Sequence, residues 1–256
     1  MKLSRVWFLL PALPLVAALL VLAGCGGGAS GTVTVAGSTT VQPLAEKLAQ
    51  TFGQSNPDVG VSVSGGGSSV GVKACNDGTV DIGAISRELK EDEPQLMKHL
   101  LAQDGIAIVT SPGNPVTGLT TAQVRGIYGG TITNWNEVGG PDHFITLVAR
   151  EEGSGTRAAF EDMVMDKPEP AVAVIDKAIL LPSNGAIKTT VSGDSYAIGF
   201  ISFGYVDSTV EALAIDGVEA SEENARNGDY PIVRPLYFLT KDEPTGSVKD
   251  FIDFCL

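Results

Sequence analysis

The sequence has few of the residues that build metal and redox sites, and it is short of positive charge. Its 256 residues include three cysteines and two histidines, His99 and His143, which is little material for a zinc or iron–sulfur site, so we expect no cofactor. Lysine and arginine number 17 against 30 aspartates and glutamates, a formal net charge of −13. This charge offers no long-range attraction for a polyphosphate backbone, so nucleic acid is not an expected partner.

Aromatic residues are also sparse, at 6%, and only 18% of the chain is charged, whereas 43% is hydrophobic. Disordered chains combine low hydrophobicity with high net charge, and this chain does not fit that description. Glycine is abundant, with 31 residues. The composition therefore predicts an acidic, glycine-rich globular body, as one large domain or two small ones.

The first 24 residues predict a targeting segment. A short basic start (Lys2 and Arg5) precedes a mostly apolar run from 6 to 23 and the sequence Leu22-Ala23-Gly24-Cys25. That sequence resembles the lipobox of bacterial and archaeal lipoproteins, in which the cysteine is lipidated and becomes the mature N-terminus. Residues 25–31 are then a glycine-rich tether. An uncleaved membrane anchor is the alternative, because the run is near the lower limit for spanning a bilayer.

The body from residue 32 to 256 alternates short apolar strands with segments of helical periodicity. This alternation favours an α/β fold with mostly parallel sheets. A charged helix is expected from Leu89 to about Leu101, with its acidic start facing solvent. The predicted strands lie at 32–36, 59–63, 79–85, 105–110, 144–149, 197–201, 210–215 and 232–239. The other predicted helices lie at 41–52, 70–76, 120–128, 157–165 and 245–254.

Four of the loops that leave a strand carry the same chemistry, namely small hydroxyl residues with glycine nearby. They are Ser38-Thr39-Thr40, Ser68-Ser69, Ser86, and Ser154-Gly155-Thr156. Helix N-termini present unpaired N–H groups, hydroxyls add donors, and glycine lets the backbone approach a ligand closely. Ligands of open α/β sheets bind beyond the carboxyl ends of the strands, where these loops would converge. We therefore predict an anion site, with plain helix capping as the alternative for any single loop.

Two arginines lie in these loops. The Arg150 guanidinium can grip two oxygens of a tetrahedral anion with parallel hydrogen bonds. Glu152, two residues further on, is expected to hold that side chain, unless the two form only a surface ion pair. Arg87 points either into the site or into solvent.

The loops together resemble one known family, the periplasmic phosphate-binding protein of the phosphate ABC transporter, in its shorter branch. The likeness covers nearly the whole chain after the targeting segment. It implies two α/β lobes joined by a hinge that close on phosphate, lobe 1 at about 32–110 with the C-terminal part and lobe 2 at about 111–205. The segments that carry it occur in the family's order and are Ala36-Gly-Ser-Thr-Thr-Val-Gln-Pro43, Gly65-Gly-Gly-Ser-Ser-Val-Gly71, Asp81-Ile-Gly-Ala-Ile-Ser-Arg-Glu88 and Arg150-Glu-Glu-Gly-Ser-Gly-Thr156.

The resemblance also implies which residues hold phosphate. Ser86 stands where long family members carry an aspartate that accepts the phosphate proton. Because a serine either donates or accepts, rejection of sulfate is less secure with Ser86. The implied ligand residues are Thr39, Thr40, Ser68, Ser86, Arg150, Ser154, Gly155 and Thr156, and the residues behind them are Ser38, Arg87 and Glu152.

The implied protein is not an enzyme. It is an extracytoplasmic receptor, anchored to the membrane through lipidated Cys25, that delivers phosphate to permease subunits and their ATPase. The chain lacks the G-x-x-x-x-G-K-[ST] pattern, so the energy for transport must come from that partner. Members of the family usually continue for a short stretch beyond the end of this chain, which leaves the stability of its last element an open question.

Other functions remain open at this stage. The loops suit sulfate, molybdate or tungstate equally well, and an anion sensor could use the same site. A remote alternative is a serine hydrolase using Ser68, since Gly67-Ser68-Ser69-Val70-Gly71 fits G-x-S-x-G. Cys75 and Cys255 either form a disulfide or remain as two free thiols.

Overall fold

The computed structural model describes residues 31–167 and 169–256, and strands alternate with helices along most of this length. The strands are β1 (Gly31–Gly37), β2 (Val59–Ser64), β3 (Ile82–Ile85), β4 (Met97–Thr110), β5 (Gly118–Leu119), β6 (Thr146–Arg150), β7 (Ile179–Leu181), β8 (Ala197–Ser202), β9 (Glu211–Ala212), β10 (Ala214–Ile215) and β11 (Val233–Thr240). The helices are α1 (Gln42–Ser55), α2 (Ser68–Asn76), α3 (Thr121–Tyr128), α4 (Gly155–Phe160), α5 (Asn184–Gly193), α6 (Glu222–Asn227) and α7 (Gly246–Cys255).

The main sheet is mixed, with the order β2-β1-β3-β11-β4-β8-β6-β7 and with β9 paired to β4. At one end β1 runs parallel to β2 and β3, and at the other β6 runs parallel to β7 and β8. The central strands β4 and β11 are antiparallel to each other and to their neighbours. The α/β class is confirmed, but the sheet is parallel only toward its two ends.

The charged helix predicted from Leu89 to Leu101 is wrong. Residues 89–96 form turns and loop, and Met97 begins β4, which pairs with β11 from Met97↔Thr240 to Gly105↔Val233. Local turn contacts replace the helix, because the Glu93 carboxylate accepts a hydrogen bond from the Lys90 amide (2.9 Å). Pairing with a strand far along the chain outweighs local helical periodicity, and such pairing is not visible in a short window.

The hydrophobic core falls into two sets of clusters. One set uses residues from Val33 to Ala102 and from Leu236 to Cys255. The other uses residues between Ile106 and Val233. The chain passes from one set to the other within β4 and again at the start of β11, where these two strands are paired. The two passages therefore lie side by side.

The last helix, α7, belongs to the first of these core sets. Phe251 is fully buried, and its ring lies 5.3 Å from Phe52 and 6.1 Å from Phe238 between centroids. Aromatic pairs at such separations contribute beyond the area they bury. The predicted C-terminal helix is confirmed, and it is packed against α1 and β11.

The two cysteines of the body are free thiols. Cys75 is buried and its thiol donates to the Leu239 carbonyl (3.4 Å), and burial raises its pKa. Cys255 is half-buried on α7, and burial raises its pKa to about 12. The structure thus has the two thiols in their unpaired form, and the raised pKa values keep them protonated and poorly nucleophilic.

In the part of the chain that the structure describes, no helix has the length and apolar character needed to cross a membrane. The predicted targeting segment and the lipobox with Cys25 lie outside the described residues.

Candidate functional site

The four hydroxyl-bearing loops meet at the carboxyl ends of four strands, of which β2, β1 and β3 are adjacent in the sheet and β6 lies beyond the central strands β11 and β4. Ser38, Thr39 and Thr40 follow β1 and lead into α1, Ser68 opens α2, and Ser86 follows β3. Ser154, Gly155 and Thr156 follow β6 and open α4. The side chains of these loop residues are buried, at 8% exposure or less for Ser38, Thr39, Thr40, Ser68, Ser86, Ser154 and Thr156. Burying so many hydroxyls is costly unless each finds a partner.

Three serines from three loops form one hydrogen-bonded group. Ser38 Oγ donates to Ser86 Oγ (2.8 Å), and the Ser86 amide donates to Ser68 Oγ (3.1 Å). Gly155 lies directly on this group, because a Cβ built there would be 2.5 Å from Ser86 Oγ and closer still to Ser68 Oγ. A glycine is thus required for the fourth loop to approach the other three.

The two core sets also touch each other through polar contacts in this region. Thr40 Oγ1 lies 3.0 Å from Thr156 Oγ1, and the Ser69 amide donates to the Gly153 carbonyl (3.1 Å). Tyr205 Oη donates to the Thr39 carbonyl (2.7 Å). Burial raises the pKa of Tyr205, with Glu46 adding to the effect and Arg150 opposing it, so the phenol keeps the proton that it donates.

Helix capping accounts for only part of this arrangement. Ser154 does cap α4, since the Arg157 amide donates to Ser154 Oγ (3.2 Å). Neither α1 nor α2 has a side-chain cap, although Thr40 and Ser68 lie at their starts. The hydroxyls of the first two loops therefore make contacts that capping does not explain.

Arg150 is buried to 1% exposure at the end of β6. Its Nε and Nη2 donate to the two carboxylate oxygens of Glu151 (3.0 and 2.9 Å), and also to the carbonyls of Leu181 and Pro182. The prediction that Glu152 holds Arg150 is therefore wrong, because the adjacent Glu151 does so and Glu152 is exposed. Arg150 Nη1 makes no hydrogen bond with the described residues, which leaves two N–H groups available.

Arg87 lies beside the site and is not directed into solvent. It is 3% exposed and forms a two-pronged ion pair with Glu93 (2.7 and 2.6 Å). Its Nη2 also donates to Ser69 Oγ (3.3 Å). Arg87 thus supports the α2 loop, and it lines, with Lys90 and Arg157 among others, a polar cavity of about 320 Å³ next to the site.

Sequence reasoning missed a third buried arginine and an asparagine. Arg234, on β11, is 2% exposed and forms an ion pair with Asp104 of β4 (2.9 Å). Burial lowers the pKa of Arg234, Asp104 opposes that shift, and the charge of Arg150 adds to it. Arg234 also donates to Thr40 and to Ser86. No local pattern marks Arg234, since it lies within a strand.

Asn184 opens α5 directly after β7 and is fully buried. Its Nδ2 donates to Thr39 Oγ1 (3.3 Å) and Thr40 Oγ1 (3.0 Å), and its Oδ1 accepts from the Ser202 amide (3.1 Å). Ser183-Asn184-Gly185 is a fifth strand-to-helix loop of the same kind as the others. That pattern was present in the sequence and could have identified Asn184.

A serine hydrolase has no support at this site. In G-x-S-x-G the central serine is Ser69, not Ser68, and it accepts from Arg87. His99 Nε2 instead contacts Thr240 Oγ1, and His143 stacks on Tyr196 and contacts the Phe144 carbonyl. Without a histidine on either serine, the nucleophile has no general base.

The fold and this cluster define a class of protein. A family model described as the PBP superfamily domain matches residues 26–256, nearly the whole chain. The chain is thus a member of the superfamily of periplasmic-type binding proteins, which agrees with its mixed α/β sheet.

More similar proteins narrow the class. The phosphate-binding protein PstS of Bacillus subtilis is 37% identical over 231 residues, which cover 88% of this chain and 75% of the relative. A crystal structure with bound phosphate, of a substrate-binding protein assigned to a phosphate ABC transporter of Clostridium perfringens, is 44% identical with a TM-score of 0.83 and covers 87% of this chain and 92% of its own. The structure of an ABC-type phosphate transport receptor from Vibrio cholerae is 39% identical with a TM-score of 0.72, and the match covers 87% of this chain and 93% of the receptor. The chain belongs to the PstS family of phosphate-binding proteins.

Gly155→Ala tests the close approach of the loops. We expect it to lower the free energy of unfolding by about 1–3 kcal/mol, because Ser68 and Ser86 must move to admit the methyl group. Gly53→Ala is the matched control, since Gly53 lies in α1 with nothing within 4 Å of its Cβ position. The control should gain up to about 1 kcal/mol from helix propensity. Urea denaturation followed by circular dichroism measures both, and equal stability of the two variants would contradict this packing.

Proposed function

We propose that this protein captures inorganic phosphate outside the cytoplasm and delivers it to the permease subunits and ATPase of an ABC transporter. The observation that carries the proposal is the cluster of buried hydroxyls at strand ends, beside buried Arg150, whose Nη1 makes no hydrogen bond with the described residues. The names of its relatives, PstS and phosphate transport receptor, support the same ligand.

The phosphate contacts are assigned to the hydroxyls of the four loops, the amides of α1, α2 and α4, and Arg150. Helix N-termini carry partial positive charge, and hydroxyl donors in a buried site act in a low dielectric. These groups bind an anion although the protein as a whole has a net charge of −13. The residues in contact are Thr39, Thr40, Ser68, Ser86, Arg150, Ser154, Gly155 and Thr156, with Ser38, Arg87, Glu151 and Asn184 behind them.

The two core sets correspond to two lobes, with the boundary at residues 104–106 and 232–234. Contacts such as Thr40 to Thr156 and Asn184 to Thr40 close the cleft between them. A bound anion takes over these hydroxyl contacts and links both sides of the cleft, so phosphate favours the closed form over the open one. Small-angle scattering should show a smaller radius of gyration with phosphate than without it, and an unchanged radius would oppose closure.

Arg150→Ala should weaken phosphate binding at least about tenfold, because charged hydrogen bonds contribute roughly 1.5–3 kcal/mol each. Lys177→Ala is the control, since Lys177 is exposed and its pocket neighbours, such as Gly130 and Ile175, do not belong to the loops, so its loss removes the same charge away from the site. Calorimetric titration of the domain without its targeting segment measures both. An unchanged dissociation constant for Arg150→Ala would remove Arg150 from the site.

Substitutions at the two neighbouring glutamates, Glu151 and Glu152, separate the orientation of Arg150 from the effect of charge. Glu151→Gln should weaken phosphate binding severalfold, because Arg150 loses the bidentate partner that holds its guanidinium. Glu152→Gln removes the same charge at the next residue, whose side chain is exposed. It should leave the phosphate affinity within about twofold of the unmodified protein. The same titration decides, and equal effects of the two substitutions would show that charge alone, and not orientation, is involved.

The lipid anchor is assigned to Cys25 on the lipobox pattern alone. Cys25→Ala should release the protein from the membrane fraction and abolish incorporation of labelled fatty acid, since acyl chains supply the attachment. Cys75→Ala is the matched control and should leave both unchanged, because Cys75 is buried in the core. Continued membrane attachment of Cys25→Ala would favour an uncleaved apolar anchor.

A further inference from the structure

Arg234 has no N–H group left for a ligand. Its Nε and Nη2 donate to Asp104 Oδ2 (3.1 and 2.9 Å), and Nη2 also donates to Thr40 Oγ1 (3.1 Å). Its Nη1 donates to the carbonyl and the Oγ of Ser86 (3.2 and 3.3 Å). A guanidinium has five N–H groups, and these five contacts use them all. Arg234 is therefore a positioning residue that acts through Thr40 and Ser86.

The contacts decide what the Ser86 hydroxyl can do. A hydroxyl has two lone pairs and one hydrogen. At Ser86 the lone pairs receive Arg234 Nη1 (3.3 Å) and Ser38 Oγ (2.8 Å). Only the hydrogen remains, with Ser68 Oγ 3.5 Å away, so Ser86 can only donate, either to Ser68 or to an anion between the loops.

The Thr40 hydroxyl, like that of Ser86, has both lone pairs occupied and only its hydrogen left. Its Oγ1 accepts from Arg234 Nη2 (3.1 Å) and from Asn184 Nδ2 (3.0 Å), so its hydrogen is directed to Thr156 Oγ1 (3.0 Å). The two hydroxyls thus share one guanidinium, and both have a hydrogen to offer.

The donor state of Ser86 does not depend on closure of the cleft. Ser38, Ser86 and Arg234 belong to β1, β3 and β11 or to the loops at their ends, and these strands are neighbours in the sheet. Asp104, which holds Arg234, is its cross-strand partner on β4. These contacts join neighbouring strands of the sheet, and none of them crosses the cleft.

We propose that Arg234, held by Asp104, makes Ser86 and Thr40 obligatory hydrogen-bond donors, so that the site accepts sulfate as well as phosphate. The inference rests on the proposed function. Ser86 and Thr40 then supply donors and no acceptor for the proton of a phosphate ion. A fully deprotonated anion such as sulfate meets no unpaired acceptor at these positions.

Competition with the unmodified protein tests the selectivity directly. Sites that hydrogen-bond a substrate group reject the analogue lacking it by roughly 10⁴–10⁵-fold. We expect sulfate to displace phosphate with an inhibition constant within about a hundredfold of the phosphate dissociation constant, since that rejection is missing here. Failure of sulfate to compete at about a thousandfold excess over phosphate would overturn the inference.

A double variant tests the role of Arg234. Arg234→Gln combined with Asp104→Asn removes the ion pair without leaving an unpaired charge, and it releases lone pairs on Ser86 and Thr40. The ratio of phosphate affinity to sulfate affinity should then rise at least about tenfold, the scale of one hydrogen bond to a charged group. Equal losses of affinity for phosphate and sulfate would show that Arg234 has a purely structural role and would overturn the inference.

Ser202→Ala is the control for the double variant. It removes the hydrogen bond from Ser202 Oγ to Asp104 Oδ1 (2.8 Å) and leaves the contacts of Arg234 in place, so the ratio should not change. A double variant that does not fold leaves the competition experiment to decide alone. Absence of phosphate binding by the unmodified protein would refute the proposed function, whereas phosphate binding with sulfate excluded would refute only this inference.

Discussion

The ion pair between Asp104 and Arg234 is the contact on which the arrangement of the site depends. It joins β4 and β11 where both strands pass between the two core sets. A buried ion pair is stable only when its remaining donors and acceptors are satisfied. Here Arg234 uses them on Thr40 and Ser86, and Asp104 accepts from Ser202, whose amide donates to Asn184. One pair thus connects the central strands to residues from both sides of the cleft.

Charge at the site is balanced by a carboxylate for each arginine. Arg150 has Glu151 and Arg234 has Asp104, so the two buried guanidiniums bring no net charge. An anion held there is stabilised by oriented dipoles: hydroxyls, loop amides and helix N-termini. This arrangement suits a receptor that must release its ligand, because neutral hydroxyls that lose a bound oxyanion can form hydrogen bonds with one another instead. The contact between Thr40 and Thr156 across the cleft is such a hydrogen bond.

The sequence predicted the loops well and their connections poorly. Strand-to-helix loops with serine and threonine are local patterns, and the structure brings Ser38, Ser68, Ser86 and Ser154 together. Glu151 could not be distinguished from Glu152, because the direction of each side chain depends on how β6 ends. The long strand β4 was hidden, since its first half pairs with β11, where Arg234 lies 130 positions after its partner Asp104. Such contacts are set by tertiary register and leave no mark in a local window.

Whether a hydroxyl acts as a hydrogen-bond donor or acceptor is a further property that residue type does not determine. Residue 86 is a serine, and by itself a serine hydroxyl can act as either a donor or an acceptor. The choice is made by neighbours that are remote in sequence, Ser38 and Arg234, because their donors occupy both lone pairs. A loop motif can therefore be kept almost unchanged while its selectivity is reset from a strand elsewhere in the sheet. Selectivity in this site is accordingly a property of the hydrogen-bond network, and Arg234 is the residue through which the network acts on it.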